Sequence, residues 1–308
     1  IMDEPSAVLT QTEVQVLFRQ IDRLRAQGVA LLYTSHRLEE VAHLADRITV
    51  LRDGAVVRQA GRGELSEDAM ATAMVGRDLA DIFPPRRESF GPIVLEVTDF
   101  AVPPLVQGVS FALRRGEVLG ISGLVGSGRT ELAEGLVGLR PHHGRISRDG
   151  RVITLRNLSD AARHGLAYLT EDRKERGLLL AKTLRENLTL STLERFGAPL
   201  IRRAEEEAAL DRAIADFDIR APRREMAVGN LSGGNQQKLL LAKTMLPAPE
   251  VVIIDEPTRG IDIGTNSQIY HFIDRLAREG LSVIVISSDM PEILGLSDRV
   301  MVMRQGRL

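Results

Sequence analysis

Glu117-Val118-Leu119-Gly120-Ile121-Ser122-Gly123-Leu124-Val125-Gly126-Ser127-Gly128-Arg129-Thr130-Glu131-Leu132-Ala133 is the stretch that decides the fold. Its first six residues read as a buried strand. The strand runs straight into a glycine-rich loop, Gly123 to Thr130, and a helix is expected to start at Thr130-Glu131-Leu132-Ala133. The loop fits G-x-x-x-x-G-K-[ST] with one departure, Arg129 in place of lysine. Gly123, Gly126 and Gly128 let successive backbone N–H groups, those of Val125 and Ser127 included, converge on phosphate oxygens. The helix start adds positive potential. Thr130 is placed to hold Mg²⁺. Arginine keeps the charge of lysine but is a bulkier planar fork, so binding is expected to survive and hydrolysis at this loop is in doubt. Read alone, the string also fits a glycine-rich turn with no ligand.

Two motifs further along argue against that bland reading. Val251-Val252-Ile253-Ile254-Asp255-Glu256 is an apolar strand ending in two carboxylates. Asp255 is expected in the Mg²⁺ shell, and Glu256 is expected to orient or deprotonate an attacking water. Leu231-Ser232-Gly233-Gly234-Asn235-Gln236-Gln237-Lys238 precedes a strong helix expected over Gln236–Met245. Ser232 and the two glycines expose N–H groups at that helix start, which makes a second anion site.

Working outward, the chain repeats itself. Ile1–Val56 matches Ile253–Leu308 at one fixed offset without insertion. Asp3-Glu4-Pro5 matches Asp255-Glu256-Pro257, and Ile21-Asp22-Arg23-Leu24 matches Ile273-Asp274-Arg275-Leu276. Asp46-Arg47 matches Asp298-Arg299, and Gly54 matches Gly306. The offset is domain-sized, far beyond the roughly 20–50 residues of a solenoid repeat. Each copy reads strand, helix, strand, helix, strand, which implies a mostly parallel, covered sheet. In the second copy the expected elements are Val251–Ile254, Ser267–Arg278, Leu281–Ile286, Met290–Leu296 and Arg299–Met303. Both ends of the chain look cut, Ile1 falling inside a strand-end motif and Leu308 directly after a turn. Arg58–Pro92 differs from both copies. A helix is expected over Glu64–Val75, and Phe83-Pro84-Pro85-Arg86-Arg87 breaks regular structure. The domain reading is therefore residues 1–75 as the end of a first domain, 76–92 as linker and 93–308 as most of a second.

Composition bounds the rest. The 308 residues are 44% apolar, carry a formal net charge of −2 and include no cysteine. A near-neutral chain has no global basic field for nucleic acid. Without cysteine there are no disulfides or thiolate metal sites. No apolar run approaches the roughly 20 residues that span a bilayer, so a membrane is reached through a partner.

The phosphate loop, Leu231–Gly234 and Asp255-Glu256-Pro257 resemble the Walker A, signature and Walker B motifs of ATP-binding-cassette proteins. The longer strings Thr170-Glu171-Asp172-Arg173-Lys174 and Leu231–Lys238 resemble the second cassette of fused tandem ATPases of monosaccharide importers, of the ribose, xylose and galactose type. The resemblance covers nearly the whole chain. It implies an α/β P-loop NTPase fold, mostly parallel with flanking helices, plus a helical subdomain over about 171–229. It implies ATP and Mg²⁺ as cofactors, integral membrane permease subunits as partners and a periplasmic sugar-binding protein as an indirect one. It places the chain on the cytoplasmic face of the bacterial inner membrane.

In that family two cassettes close head-to-tail on two ATP molecules, in cis or as a homodimer, and each site takes its signature from the other cassette. The resemblance then makes Glu4 the catalytic carboxylate of the first cassette, Asp3 its Mg²⁺ residue and His36 its switch histidine. The opposing signature is Leu231, Ser232, Gly233, Gly234 and Gln237. The second cassette departs from the pattern: Arg129 replaces lysine, Glu171 stands at the Q-loop glutamine, and Ser288 stands where the first copy has His36. Glu171 and Ser288 are expected to border its ATP. This cassette is expected to bind ATP and hydrolyse it poorly. Leu178–Leu180 and Leu184–Leu190 are candidate contacts for a permease helix. Three other readings stay open: a tandem ATPase acting on ribosomes or DNA, a nucleotide-sensing module without catalysis, and a P-loop kinase.

Overall fold

A computed structural model describes residues 1–6, 9, 11–35, 37–52, 54–75, 83–87, 89–197, 199–261 and 263–308. The chain forms two compact units: Ile1–Ile82 with Asp262–Ser267, and Phe83–Ile261 with Gln268–Leu308.

The first unit runs β1 (Met2–Asp3), α1 (Gln11–Ala26), β2 (Tyr33–Thr34), α2 (Leu38–Leu44), β3 (Arg47–Arg52), β4 (Ala55–Gly61) and α3 (Glu67–Val75). β1 and β2 pair in parallel, and β3 and β4 form an antiparallel pair. Val14, Phe18, Ile21 and Leu44 bury one face of α1 against α2. The expected helix from Glu64 starts three residues late. The Glu64 carboxylate accepts the Gly61 N–H at 2.7 Å, and the Ser66 hydroxyl caps the helix by accepting the Ala69 N–H at 3.1 Å.

The second unit opens with β5 (Ile93–Val102), β6 (Val106–Arg114), β7 (Val118–Gly123), α4 (Arg129–Leu136), β8 (His143–Arg148), β9 (Arg151–Ile153), α5 (Leu158–Arg163) and β10 (Leu166–Leu169). A π-helical turn at Arg173–Gly177 leads to α6 (Leu184–Thr189), a 3-10 segment and α7 (Arg203–Asp216). Then come α8 (Gly233–Met245), β11 (Val251–Asp255), α9 (Ile263–Arg278), β12 (Ser282–Ser287), α10 (Met290–Leu296) and β13 (Arg299–Met303). Five strands make a wholly parallel sheet in the order β10-β11-β12-β7-β13. β11 and β12 are buried throughout, as expected for strands covered on both faces. A second, antiparallel sheet of four strands, β6-β5-β8-β9, was not expected from the sequence. Its inward residues Leu95, Val97, Phe100, Phe111, Leu113 and Ile146 share one core with Leu119 and Ile121 of β7 and Leu132 of α4. That core fixes the root of the phosphate loop.

The repeat holds in three dimensions. At the sequence offset, α1 coincides with α9 and α2 with α10, end for end. Glu4 and Glu256 share a left-handed backbone, φ 44° and 50°, as do Gly54 and Gly306, φ 77° and 76°.

Phe83–Arg87 lies against the second unit. The Phe83 ring stacks on Tyr270 with centroids 5.0 Å apart, directly over Gly295, where no Cβ would fit. The Arg87 guanidinium donates to Asp298 Oδ2 from Nε and Nη2 at 3.1 and 2.7 Å, and from Nη1 to Asp274 Oδ1 at 2.5 Å. All three side chains are buried.

The helical region is pinned by polar contacts. Thr183 and Glu186 form a reciprocal capping box at the start of α6. The Thr183 N–H beside Glu186 holds its carboxyl down at about 2. Asn187, fully buried, accepts from the Leu179 N–H at 2.7 Å and donates to the Leu179 carbonyl at 2.9 Å.

Candidate functional site

The phosphate loop rises from an interior, almost fully buried strand of the parallel sheet. β7 pairs with β12 on one side and β13 on the other. Gly123 is forced by contact: a Cβ there would collide with the Met303 carbonyl. Gly126 and Gly128 turn the chain with φ of 80° and 98°, a region where side chains are strained. Gly128 then sits at the cap of α4, which begins at Arg129, one residue before the expected start. The tip residues Leu124 and Val125 are exposed, 85% and 91%. Inside the loop the Ser127 hydroxyl is buried without a hydrogen-bond partner.

Thr130 and Asp255 meet at the base of the loop. The Thr130 side chain hydrogen-bonds Asp255, and the Tyr168 hydroxyl donates to Asp255 Oδ2 at 3.2 Å. Burial pushes the Asp255 carboxyl up to about 6, and its Oδ1 is buried with no partner. Among the described residues no cluster of three or more His, Asp or Glu could cage a metal. Mg²⁺ bound beside a nucleotide keeps several waters and takes one or two protein oxygens plus phosphate. A hydroxyl and a carboxylate with a spare, buried oxygen fit that ion.

Glu256 is restrained from three sides. Its left-handed backbone donates its N–H to the Ile286 carbonyl at 2.8 Å. Oε1 accepts the Ser288 N–H at 2.8 Å, and the Ser287 hydroxyl lies 3.5 Å from Oε2. The third restraint is Arg129, whose Nη2 sits 3.4 Å from Oε1 with both side chains nearly buried. The residue that departs from the lysine pattern therefore engages the carboxylate expected to handle water. Its Nη1 is buried and unpartnered.

Glu171 pairs with Arg259 in the loop after β11. Next to it Arg173 donates to the Arg259 and Gly260 carbonyls at 2.7 and 3.0 Å and lies against Gly233. The sequence string around Arg173 gives no sign of this role. The signature helix α8 begins at Gly233, three residues before the expected Gln236, because Ser232 has extended geometry and caps it. Leu231 is buried. Gln237 also turns inward, donating to the Pro257 carbonyl at 2.9 Å. It anchors α8 to the carboxylate loop, while Ser232, Gly233 and Gly234 form the helix tip.

The structure thus brings Gly123–Thr130, Asp255, Glu256 and Ser288 together in the second unit. Asp3 and Glu4 close β1 in the first unit, where the Thr34 hydroxyl donates to Asp3 and the Glu4 N–H donates to the Thr34 carbonyl at 3.0 Å. His36 lies outside the described residues.

The ABC transporter family profile matches residues 106–259, half of the chain, and spans the phosphate loop, the signature, Asp255 and Glu256. The chain belongs to the ABC transporter family. Among its relatives is the ribose import ATP-binding protein RbsA of Clostridium perfringens strain SM101, 44% identical over the whole of this chain and 62% of that protein. The xylose import ATP-binding protein XylG of Moorella thermoacetica is 43% identical over the whole chain and 63% of its own length. A putative ribose/galactose/methyl galactoside import ATP-binding protein of Burkholderia cenocepacia is 46% identical, again over the whole chain and 61% of its own length. The chain therefore spans about three-fifths of the curated relatives it matches. A solved nucleotide-free ATP-binding cassette from an ABC transporter superposes with a TM-score of 0.59 over 70% of this chain and 89% of that one, at 20% identity. A dimeric post-hydrolysis cassette bound to ADP and phosphate gives 0.60 over 70% and 96%, at 17% identity. These two establish the cassette fold. Among the described residues no helix is long and apolar enough to cross a membrane.

Proposed function

We propose that this ABC chain is part of the ATP-hydrolysing subunit of a monosaccharide importer, and that its second copy binds Mg-ATP but turns it over slowly. The observation that carries the reading is the Arg129–Glu256 contact beneath a complete phosphate loop. The loop N–H groups and Arg129 bind the phosphates, and Thr130 and Asp255 hold Mg²⁺, which shields phosphate charge when bound. A water-activating carboxylate must be free to accept a proton. Glu256 is instead ion-paired and held by the Ser288 N–H, and no histidine stands at Ser288. In the first copy, Glu4 is the catalytic carboxylate, Asp3 its Mg²⁺ residue and His36 its γ-phosphate contact. Ser232, Gly233 and Gly234 supply the signature to that site when the cassettes pair, in cis or between two copies of the chain.

The names of the relatives support ribose, xylose or galactose as the class of cargo. Permease subunits at the cytoplasmic face of the membrane would be the direct partners, with a periplasmic sugar-binding protein acting through them. Nucleic acid has no place in this reading. The domain assignment is 1–75, 76–92 and 93–308, with the helical region at about 171–229. The deciding experiment measures phosphate release by the intact tandem protein. Glu4→Gln removes most turnover and Glu256→Gln removes little; the reverse ranking refutes the assignment. This chain alone runs near background. A second reading, nucleotide sensing without catalysis, is favoured for the second copy by the same Arg129–Glu256 contact. It wins if the intact protein binds ATP but releases no phosphate.

A further inference from the structure

Each copy buries a glutamate that the site described above does not use. Glu40 lies on α2 and Glu292 on α10, at matching positions, 5% and 1% exposed. In the second copy Thr258 Oγ1 donates to Glu292 Oε1 at 2.7 Å. In the first, Ser6 Oγ donates to Glu40 Oε2 at 2.7 Å. Ser6 and Thr258 are themselves matching positions, each two residues beyond the strand-end carboxylate, Glu4 or Glu256. A second hydroxyl comes from the C-terminal end of the neighbouring strand, just past β2 or at the last residue of β12. Ser35 donates to Glu40 at 3.2 Å, and Ser287 hydrogen-bonds Glu292. Each glutamate thus ties together the two loops that flank the strand-end carboxylate.

The third partner is a phenol, and its origin differs. Tyr33 on β2 donates to Glu40 at 2.7 Å, whereas Tyr270 on α9 meets Glu292. The matching positions are apolar, Val285 for Tyr33 and Phe18 for Tyr270. The first copy has the phenol on the strand and the second has it on the helix, so the donor is kept while its source moves. A buried carboxylate without enough donors is costly, which explains the exchange. The neighbouring charge is reversed: Arg37 pairs with Glu40 at 3.3 Å, and Asp289 stands at the matching place beside Glu292.

The geometry points to Glu40 and Glu292 as positioning residues, which set Glu4 and Glu256 by clamping the loops on either side of them. In the second copy the chain of contacts is continuous: Glu292 to Ser287, Ser287 to Glu256 Oε2 and Ser288 N–H to Glu256 Oε1. The groups facing Glu292 are Tyr270 from α9, Thr258 from the loop after β11, Ser287 from β12 and Asp289 at the start of α10. None of these is cationic. Burial, aided by Asp289, pushes Glu292 up to about 7, whereas Glu40, held by its hydroxyl and Arg37 contacts, lies below the usual carboxylate range. The second clamp passes from neutral to ionic as pH rises through about 7, whereas the first is already ionic there, so only the second loosens.

This inference rests on the reading that the second copy binds Mg-ATP, and the test separates the two. Displacement of a fluorescent ATP analogue by Mg-ATP is measured on the whole chain at about pH 6 and about pH 8. Glu292→Gln mimics the neutral clamp without changing its shape, and Asp289→Asn removes the nearby charge while keeping a good helix cap. Wild-type affinity is expected to fall at least about threefold more between the two pH values than that of Glu292→Gln, and Asp289→Asn, which removes a charge that raises Glu292, to move the fall to lower pH so that its affinity is already below wild type at about pH 6, since one pKa unit is a tenfold change in ionisation ratio. Comparing each variant with wild type cancels titration of the nucleotide itself. No Mg-ATP binding by the wild type sinks the functional reading. Binding with identical pH profiles in wild type and both variants sinks the clamp. Should Glu292→Gln fail to fold, Asp289→Asn decides by itself: a profile superposable on wild type overturns the inference.

Discussion

Arg87→Met is the substitution with the largest stability effect expected from this structure. The guanidinium is 8% exposed and lies between Asp274 and Asp298, whose side chains are 10% and 4% exposed. Methionine retains most of the aliphatic packing and removes the charge. Asp274 keeps one cationic partner, Arg278 Nε at 2.7 Å, and Asp298 keeps the Val118 N–H at 2.8 Å. The variant therefore leaves one carboxylate partly paired and one with a single neutral donor. Breaking a buried pair by removing one partner costs about 3–5 kcal/mol, because the remaining charge stays desolvated. Two surviving contacts place the expected value near the lower end, about 3 kcal/mol, or roughly 6–12 °C in melting temperature for a unit of this size. Chemical denaturation followed by circular dichroism, reading the transition of the larger unit, measures it. The control is Arg87→Met combined with Asp274→Asn and Asp298→Asn. Neutralising all three is expected to recover most of the loss, since a buried ion pair is worth little against neutral groups of like shape. A cost below about 1 kcal/mol for Arg87→Met, the range of an exposed pair, would refute the reasoning and leave Phe83–Arg87 as a passive connector.

Arg129→Lys shortens the reach to Glu256 and is expected to tighten Mg-ATP binding several-fold, on the order of 1 kcal/mol; isothermal titration on the chain checks it, and weaker binding argues against the restraint. Stability of the second unit should depend on Glu292. Its carboxyl is raised from 4.5 to about 7 on folding, so the folded state holds the proton more tightly; that stabilisation is fully present below about 4.5 and is lost as pH rises through about 7, up to about 3 kcal/mol. Glu292→Gln should flatten this component of a pH series of denaturation curves. Gly306→Ala should cost about 1–3 kcal/mol, because φ is 76° and a Cβ would strike the Leu105 carbonyl; thermal melts read it. Thr183→Ala removes the cap of α6 and should cost about 1 kcal/mol, visible as faster amide exchange at Glu186.

The parts of the fold legible in the sequence were those with strong local signals. β7, the phosphate loop and β11 are apolar runs that end in glycines or carboxylates, and they sit where those endings place them. Helix starts were misplaced where a cap overrides periodicity: Ser232 begins α8 at Gly233, and Ser66 delays α3 to Glu67. The antiparallel layer went unread because its alternation is broken by register shifts in β5 near Val97 and Phe100. At the site, the residues that assemble were visible but their mutual contacts were not. Nothing in spacing says that arginine at position 129 reaches Glu256, or that Arg173 spans to carbonyls 86 and 87 positions away.

What sequence spacing withholds, the internal repeat supplies, because the chain contains its own comparison. In the first copy Arg25 donates to Asp22 at 3.3 Å and to Asp46 at 2.7 Å. The matching carboxylates, Asp274 and Asp298, are kept in the second copy, but the match to Arg25 is Ala277. A second copy that kept two acids and lost their cation needs another, and Arg87 provides it from a segment outside the repeat. The same logic moves the phenol from Tyr33 to Tyr270 around the buried glutamate. Exchanges of this kind separate what a cassette must have, a donor or a cation at a place in space, from the position in the chain that delivers it. Arg129 and Ser288 have no such replacement among the described residues: no lysine or histidine from another element is hydrogen-bonded or ion-paired to Glu256. Structural losses in the second copy were compensated and the departures from the pattern at the phosphate loop and Ser288 were not, which is the pattern that the proposed slow turnover of the second copy requires.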